Sequence, residues 1–500
     1  ATNPAAFGTA LASPTHTYRV YPMPIENPNH GVLTTVCDPA NLAASPFRWH
    51  DLDGDPASES FTTFGNNVYA FENGNNVGFS PIGGTSLNFE FPHDPSSTNP
   101  DDYEAAAVTN LFYWNNIVHD VLHHYGFDET SGNFQNLNYT GTGLGNDFVL
   151  AHAQAPGSCN ANFFTPVDGT NPIMNMFNCG GRDGDFDNLV IVHEYGHGIS
   201  LRLVGGAGNT SVLNNSEQMG EGWSDWYGLV LSIQAGHLPT DARGAGTWLL
   251  GEGPDGEGIR PHPYSTDKTI NPDTYGNLPG LIAPHGVGYL WAQMLWEMTW
   301  GLIDEHGYDA DFYTGVGGNN IALALVTEAL KLPPTSPGFV DGRDAILLAD
   351  ALLYGGANQC IIWRAFAKRG LGWSADQGSP FSKSDGTEAF DLPEDCDCPP
   401  LHQVKRIAND DQAADYYGYD VEVQGNVALV GAYAEDTEGS NAGAVYVYTR
   451  TGTNNWDQVQ NIVAPDANAG DQFGRSVAIG RGFILIGAPY DDDDGTNSGA

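Results

Sequence analysis

The chain has 500 residues, 41% of them hydrophobic, and 61 aspartates and glutamates against 18 lysines and arginines give a formal net charge of −43. This length supports more than one domain, each with its own core. The excess of carboxylates disfavours nucleic acid and anionic membrane surfaces as partners, because few cations are available to neutralise phosphates. No apolar run is long enough to span a bilayer, so no membrane-spanning helix is predicted.

Residues 1–16 lack the charged start and apolar core of a signal peptide and are predicted to be the N-terminal extension of a processed protein. The six cysteines form no C-x-x-C pair, which disfavours a thiolate zinc site. Their even number favours disulfides and secretion into an oxidising extracellular compartment. Cys159 and Cys179 are a plausible local pair.

Residues 17–186 are predicted to form a β-rich N-terminal part with one long helix. Segments 68–79 and 144–154 are typical of strands between Asn/Gly turns, whereas 101–127 has apolar residues at helical spacing. Residues 187–390 are predicted to form a helical C-terminal part. Its helices are expected near 187–204, 216–234, 284–303, 319–331, 341–354 and 358–369.

Residues 391–402 are acidic and proline-rich, which indicates a linker. Within residues 403–500, the stretch that begins at Tyr417 recurs from Phe473, an offset of 56 that keeps several glycines in register. A repeat of this length with strand and turn character predicts β-propeller blades. Because the second copy stops where a strand should begin, the propeller is expected to be incomplete.

The stretch "HEYGH" predicts a metal site on a helix. His193 and His197 are four residues apart and therefore project from one helix face. With Glu194 beside them they form the H-E-x-x-H arrangement of two zinc ligands and a general base. Gly196 and Gly198 each cost the helix about 1 kcal/mol relative to alanine. The sequence therefore predicts a close approach of another backbone or helix around His197.

A second helix offers the remaining ligand. Glu221 and Asp225 are also four residues apart, and Ser216 is expected to cap their helix. A catalytic zinc takes three protein ligands and keeps one open position, so Glu221 is the expected third ligand. Asp225 can orient a ligand histidine through its other ring nitrogen. The alternative, a solvated acidic face, is disfavoured because the flanking tryptophans indicate burial, where unpaired carboxylates are costly.

Two further histidine positions need interpretation. His285 begins a long apolar helix, where its imidazole can donate to an oxyanion opposite the metal or make a purely structural bond. His119 and His123 are also four residues apart, but Asp120 replaces the glutamate and no third ligand stands at a clear spacing. The favoured interpretation of this pair is a helix with polar flank residues.

Residues 17 to about 390 resemble the fungalysin family (M36) of secreted metallopeptidases. The matching motifs occur in order: "LFYWNNIVHDVLHHYGF", "RDGDFDNLVIVHEYGHG", "MGEGWSD", "GIRPHPYSTD" and "HGVGYLWAQMLWEM". The resemblance implies an α+β, thermolysin-like fold of two subdomains. It also implies one catalytic zinc ion bound by His193, His197 and Glu221, with Glu194 as general base and His285 as oxyanion donor.

The same resemblance implies several substrate contacts. Arg260 would bind a substrate carbonyl, and Ala161 and Asn162 in "NANF" would pair with the peptide backbone. An inhibitory propeptide is expected in the precursor. One departure is that "GLIAPH" contains no acid before His285, so the partner that orients this histidine is unassigned. Residues 403–500 resemble FG-GAP repeats.

The sequence therefore predicts a secreted zinc endopeptidase that acts on proteins or peptides. The sequence does not give the preferred bond; the resemblance to the family implies a hydrophobic residue after the scissile bond. An aminopeptidase is disfavoured, because 23 residues separate His197 from Glu221 and no motif for a free amine is evident. The alternative is a calcium-dependent adhesive or binding protein on an inactive peptidase scaffold. Its basis is "DDDDGTNSG" at 491–499, which is either a calcium loop or a solvated acidic turn.

Overall fold

A computed structural model of the chain describes residues 15–55, 57–397, 405–410, 412–451, 456–480 and 483–500. The chain divides into two units, Ala1–Cys398 and Pro399–Ala500. Most of the predicted extension at 1–16 and part of the predicted linker at 391–402 lie outside the described residues.

The strands of the first unit form two sheets. They are β1 (Thr17–Val20), β2 (Thr34–Cys37), β3 (Val68–Glu72), β4 (Asn88–Phe89), β5 (Val149–Ala155), β6 (Ala161–Phe164), β7 (Ile173–Cys179) and β8 (Arg182–Asp183). One sheet has the order β2-β1-β4, and the other has the order β3-β5-β7-β6 with β8 paired to β7. β3, β5 and β7 run parallel, whereas β6 is antiparallel to β7.

The helices of the first unit are α1 (Glu104–His123), α2 (Asn188–Leu203), α3 (Gly220–Leu231), α4 (Thr247–Leu250), α5 (His285–His306), α6 (Gly318–Ala329), α7 (Phe339–Tyr354), α8 (Gln359–Lys368) and α9 (Glu394–Asp397). Most of them lie within a few residues of the predicted spans, but the short helices α4 and α9 were not predicted, and α9 lies in the predicted linker. In the described parts of the chain, no helix combines the length and apolarity needed to cross a bilayer.

The expected start of α3 was wrong. The helix begins at Gly220, with Met219 as the preceding residue, rather than after Ser216. The Ser216 hydroxyl instead donates to the carbonyl oxygen of Phe381 at 2.8 Å. Tertiary contacts of this segment therefore override its local capping pattern.

The centre of the first unit is the packing of α2, α3 and α5. Every residue of α3 is buried, which removes the alternative of a solvated acidic face. A Cβ at Gly196 in α2 would lie 2.7 Å from the Cα of Ser224 in α3. A Cβ at Gly198 would lie 2.7 Å from the ring of Phe134. The predicted close approach of another helix is confirmed at Gly196, whereas the neighbours of Gly198 are aromatic side chains.

The second unit is made of strands. They are β9 (Val421–Gln424), β10 (Val427–Ala432), β11 (Ala444–Arg450), β12 (Trp456–Ile462), β13 (Ser476–Gly480) and β14 (Phe483–Gly487). The first four form an antiparallel sheet in the order β12-β11-β10-β9, and β13 pairs antiparallel with β14. β10 and β14 begin at positions that differ by the repeat offset of 56.

Replacing Gly196 by alanine tests the close approach of α2 and α3. A glycine-to-alanine change within a helix ordinarily stabilises it by about 1 kcal/mol. Here the added methyl group would meet backbone atoms, so we expect the free energy of unfolding to fall by about 1–3 kcal/mol. Denaturant titration measures the change. Gly208→Ala is the control, because nothing lies within 4 Å of its added Cβ; a Gly196 variant more stable than the parent would contradict the close approach.

Candidate metal centre

Three side chains from α2 and α3 converge on one point. Ligand atoms of His193, His197 and Glu221 all lie within 4.8 Å of one another. The Nε2 atom of His193 is 3.3 Å from Oε2 of Glu221, and the Nε2 atom of His197 is 3.8 Å from its Oε1. Two imidazole nitrogens and one carboxylate oxygen form the donor set of a catalytic zinc site with an open position. The residues present therefore fit a zinc ion.

The electrostatics of the cluster favour a cation. Burial opposes protonation of His193, but the carboxylates of Asp225 and Glu221 outweigh it and raise the His193 pKa to about 10. Burial likewise opposes ionisation of Glu221, but His193 and His197 lower its pKa to about 2. Burial and the adjacent His193 lower the His197 pKa to about 4, which leaves its ring neutral. A bound metal ion would replace the His193 proton as the positive charge beside Asp225 and Glu221.

Asp225 fixes the orientation of His193. The Nδ1 atom of His193 lies 2.7 Å from Oδ1 of Asp225, which leaves Nε2 directed at the cluster. The Arg260 guanidinium donates to both carboxylate oxygens of Asp225, at 2.7 and 2.8 Å. The Tyr264 hydroxyl also donates to Asp225. Although burial opposes it, Arg260 and His193 hold the pKa of Asp225 well below its usual range.

The pairing of Asp225 with a ligand histidine was predicted, but its bonds to Arg260 and Tyr264 were not. Tyr264 was not considered, although it lies in "GIRPHPYSTD" four residues after Arg260. Arg260, expected to bind a substrate carbonyl, lies 9% exposed with its guanidinium bound to Asp225 and 3.4 Å from Glu221. A substrate contact by Arg260 stays a prediction.

Glu194 combines burial with an unbonded oxygen. Its side chain follows His193 on α2, and the residue is 4% exposed. Its Oε2 atom has no hydrogen-bond partner among the described residues. Burial raises the Glu194 pKa to about 7. A carboxylate of this kind can accept a proton near neutral pH.

His285 approaches the cluster from a third helix. It is the first residue of α5, and its Nε2 atom is 3.5 Å from Oε1 of Glu221. The side chain is 66% exposed, so its ring reaches the open side of the cluster. The structure therefore places His285 beside Glu221, and its role as oxyanion donor stays a prediction.

An open cavity of about 180 Å³ adjoins the cluster. It reaches Ala161 of β6, whereas the side chain of Asn162 is bound to Asn175 at 2.8 Å. Much of its wall is apolar. The lining residues are Cys159, Asn160, Ala161, Cys179, Leu189, Val190, His193, Glu194, Asp225, Ala245, Leu249, Leu250, Ile259, Arg260 and His285.

Two disulfides are present among the described residues. Cys159–Cys179 confirms the predicted local pair and lies in the cavity wall. The other joins Cys360 to Cys396. Cys37 is free, and Cys398 lies outside the described residues.

The rival histidine site is structural. His119 and Asp120 are completely buried. The two nitrogens of His119 lie 2.9 Å from Asp120 and 3.2 Å from the side-chain amide of Asn133. Both ring nitrogens of His119 therefore have protein partners, and the residue lies in the core rather than on a polar flank of the helix.

Two acidic clusters lie elsewhere. Carboxylates of Asp51, Asp53 and Glu59 converge in one, and those of Asp466, Asp491 and Asp493 converge in the other. The second includes the start of the 491–499 loop. Exposed acidic groups commonly cluster without an ion, so calcium binding stays a prediction.

Comparison with known families gives two matches. The model for "Fungalysin metallopeptidase (M36)" matches residues 17–375. The model for "FG-GAP repeat" matches residues 401–448 and 456–500. The resemblances drawn from the motifs are confirmed.

Similar curated proteins come from fungi. "Extracellular metalloproteinase 2" of Phaeosphaeria nodorum is 42% identical over 398 residues, which cover 75% of this chain and 61% of that protein. "Extracellular metalloproteinase MEP" of Leptosphaeria maculans is 40% identical over 404 residues, with 76% and 61% coverage. The chain thus spans about three-fifths of the length of these relatives.

Changing Asp225 to asparagine tests its support of His193. The change removes the charge that holds the Nδ1 proton but keeps the shape of the side chain. We expect zinc affinity to fall about 10- to 100-fold, as for other partners of ligand histidines, in a competition titration with a chelator. The control Asp344→Asn alters a carboxylate whose side chain is 56% exposed and should leave affinity unchanged. Equal affinity in the Asp225 variant and the parent would contradict the proposed support.

Proposed function

The chain belongs to the fungalysin family of metallopeptidases, and we propose that it is a secreted zinc-dependent endopeptidase that hydrolyses peptide bonds in extracellular proteins. The observation that carries the proposal is the convergence of His193, His197 and Glu221 beside the unbonded carboxylate oxygen of Glu194. The relatives named extracellular metalloproteinases support secretion. Two disulfides suit an oxidising compartment.

The two histidines and Glu221 would hold the metal. Zinc suits this mixed nitrogen and oxygen donor set. When bound, it would activate a water molecule and polarise the scissile carbonyl group. Asp225 keeps the His193 ring in the tautomer that presents Nε2 to the site.

Glu194 would transfer protons, and His285 would stabilise negative charge. Glu194 accepts a proton from the attacking water and later delivers it to the leaving amine. Its raised pKa suits both transfers near neutral pH. His285 donates a hydrogen bond to the oxyanion that develops on the former carbonyl oxygen. Its exposed position at the start of α5 allows this contact.

The substrate would bind along β6 as an extended strand. β6 is the last strand in its sheet and has one paired edge among the described strands. Main-chain groups of Ala161 and Asn162 are therefore available to an added peptide strand. The apolar wall of the cavity would receive a hydrophobic side chain after the scissile bond. Arg260 would add a contact to a substrate carbonyl.

We also propose how the chain divides into the parts of such an enzyme. Residues 17–186 and 187–390 form the two thermolysin-like subdomains, and cavity-lining residues come from both. Residues 391–402 form the linker, although their first part carries α9 and the Cys360–Cys396 disulfide. Residues 403–500 form incomplete FG-GAP propeller repeats. The precursor carries an inhibitory propeptide.

A calcium-dependent binding role is the second candidate function. It is favoured by the convergence of Asp466, Asp491 and Asp493, because calcium prefers carboxylate oxygens. In this alternative, the peptidase part is an inactive scaffold. We rank it second because the candidate zinc ligands and general base are all in place.

Cleavage of casein by the parent and by Glu194→Gln tests the proposal. The glutamine has nearly the shape of glutamate but cannot accept the proton, so we expect a loss of at least about 100-fold in rate. Each protein should contain one zinc ion, which elemental analysis measures. If both proteins contain zinc and neither cleaves casein, the result would contradict the enzyme proposal and favour the binding role.

A further inference from the structure

We propose that the Cys159–Cys179 disulfide positions the substrate-binding strand β6 and closes the apolar end of the cleft, so that it helps to select a large apolar side chain after the scissile bond. This inference rests on the proposed endopeptidase function. The two cysteines are positioning residues, because they act on the bound peptide through β6 and the cavity wall.

The disulfide ties the entrance of β6 to the end of β7. Cys159 lies two positions before Ala161, the first residue of β6, and Cys179 is the last residue of β7. The strand ladder between them runs from Phe164↔Ile173 to Ala161↔Met176. The covalent link thus lies just beyond the ladder's last pair, where β6 would otherwise be released into the exposed segment 156–160. An edge strand with a single partner gains most from such a tether.

The same disulfide is part of the substrate cavity. Cys159 and Cys179 line it together with His193 and Glu194, and Cys179 is 6% exposed. Both sulfur-bearing side chains are apolar in this oxidised form. A peptide side chain that enters the cavity would therefore contact the disulfide.

The wall continues from the disulfide to α4. Cys179 pairs with Arg182 of β8. The Arg182 guanidinium lies 5.4 Å from the ring centre of Trp248 in α4. The next residues of α4, Leu249 and Leu250, line the cavity with the disulfide. A change at the disulfide therefore affects the part of the cavity wall formed by Ala161 of β6, Cys179 of β7 and Leu249 and Leu250 of α4.

The expected consequence is specific to substrate binding. The candidate zinc ligands and Glu194 lie on α2 and α3, to which the disulfide is not bonded. Without the tether, β6 must be ordered each time a peptide binds, and that ordering weakens binding. KM should rise while kcat and zinc content stay near the parental values.

The test compares two paired substitutions. Cys159→Ala with Cys179→Ala removes this disulfide, and Cys360→Ala with Cys396→Ala removes the one between α8 and α9 as a matched control. Two peptides that differ only by leucine or alanine after the scissile bond are the substrates. For the first variant we expect KM for the leucine peptide to rise about 3- to 10-fold. KM for the alanine peptide should rise less, because it loses only the ordering of β6 and not the contact with the apolar wall, so the leucine preference falls. The control should keep the parental KM and preference.

A second variant is used in case the double alanine variant does not fold. Cys159→Ala with Cys179→Val refills the buried volume without restoring the tether, and we expect its KM to stay raised. Parental KM and preference in either folded variant would overturn the inference, as would a fall in kcat with loss of zinc. A zinc-containing parent that cleaves neither peptide overturns the proposed function, and this inference with it. A parent that cleaves both, beside a variant with parental kinetics, overturns the inference alone.

Discussion

The close packing of α2, α3 and α5 is the constraint on which the candidate site depends. A Cβ at Gly196 of α2 would lie 2.7 Å from the Cα of Ser224 in α3. A Cβ at Gly222 of α3 would lie 2.3 Å from the carbonyl oxygen of Gly288 in α5. Because the helix axes approach so closely, side chains from all three helices reach one point. Each glycine weakens its helix by about 1 kcal/mol, and the packing that the glycines permit offsets this cost.

The buried charges of the site stabilise one another within that packing. An unpaired buried carboxylate is costly, so Asp225 requires all of its partners: His193, Arg260 and Tyr264. Glu221 is shared between the histidines and Arg260. Glu194 differs, because one oxygen has no partner among the described residues. The network thus fixes the candidate ligands and leaves one polar atom free for chemistry.

The sequence predicts what depends on local periodicity. Four-residue spacing placed both histidines on one helix face, and the same spacing placed Glu221 and Asp225 together. The start of α3 was wrong because distant contacts decide it: the Glu217 carboxylate accepts bonds from the Tyr275 hydroxyl and the Phe339 backbone. Tyr264 lies 39 residues from Asp225 in sequence. Helical or strand periodicity cannot predict such a contact, nor that the Cys159–Cys179 pair would line the cleft.

X-ray absorption at the zinc edge of the purified parent protein tests most directly whether one metal ion joins these helices. The account predicts one zinc ion per chain with two imidazole nitrogens and a carboxylate oxygen among its neighbours, at about 2.0–2.2 Å. Zinc bound with sulfur ligands, or a number of imidazole ligands unchanged by His197→Ala, would contradict it.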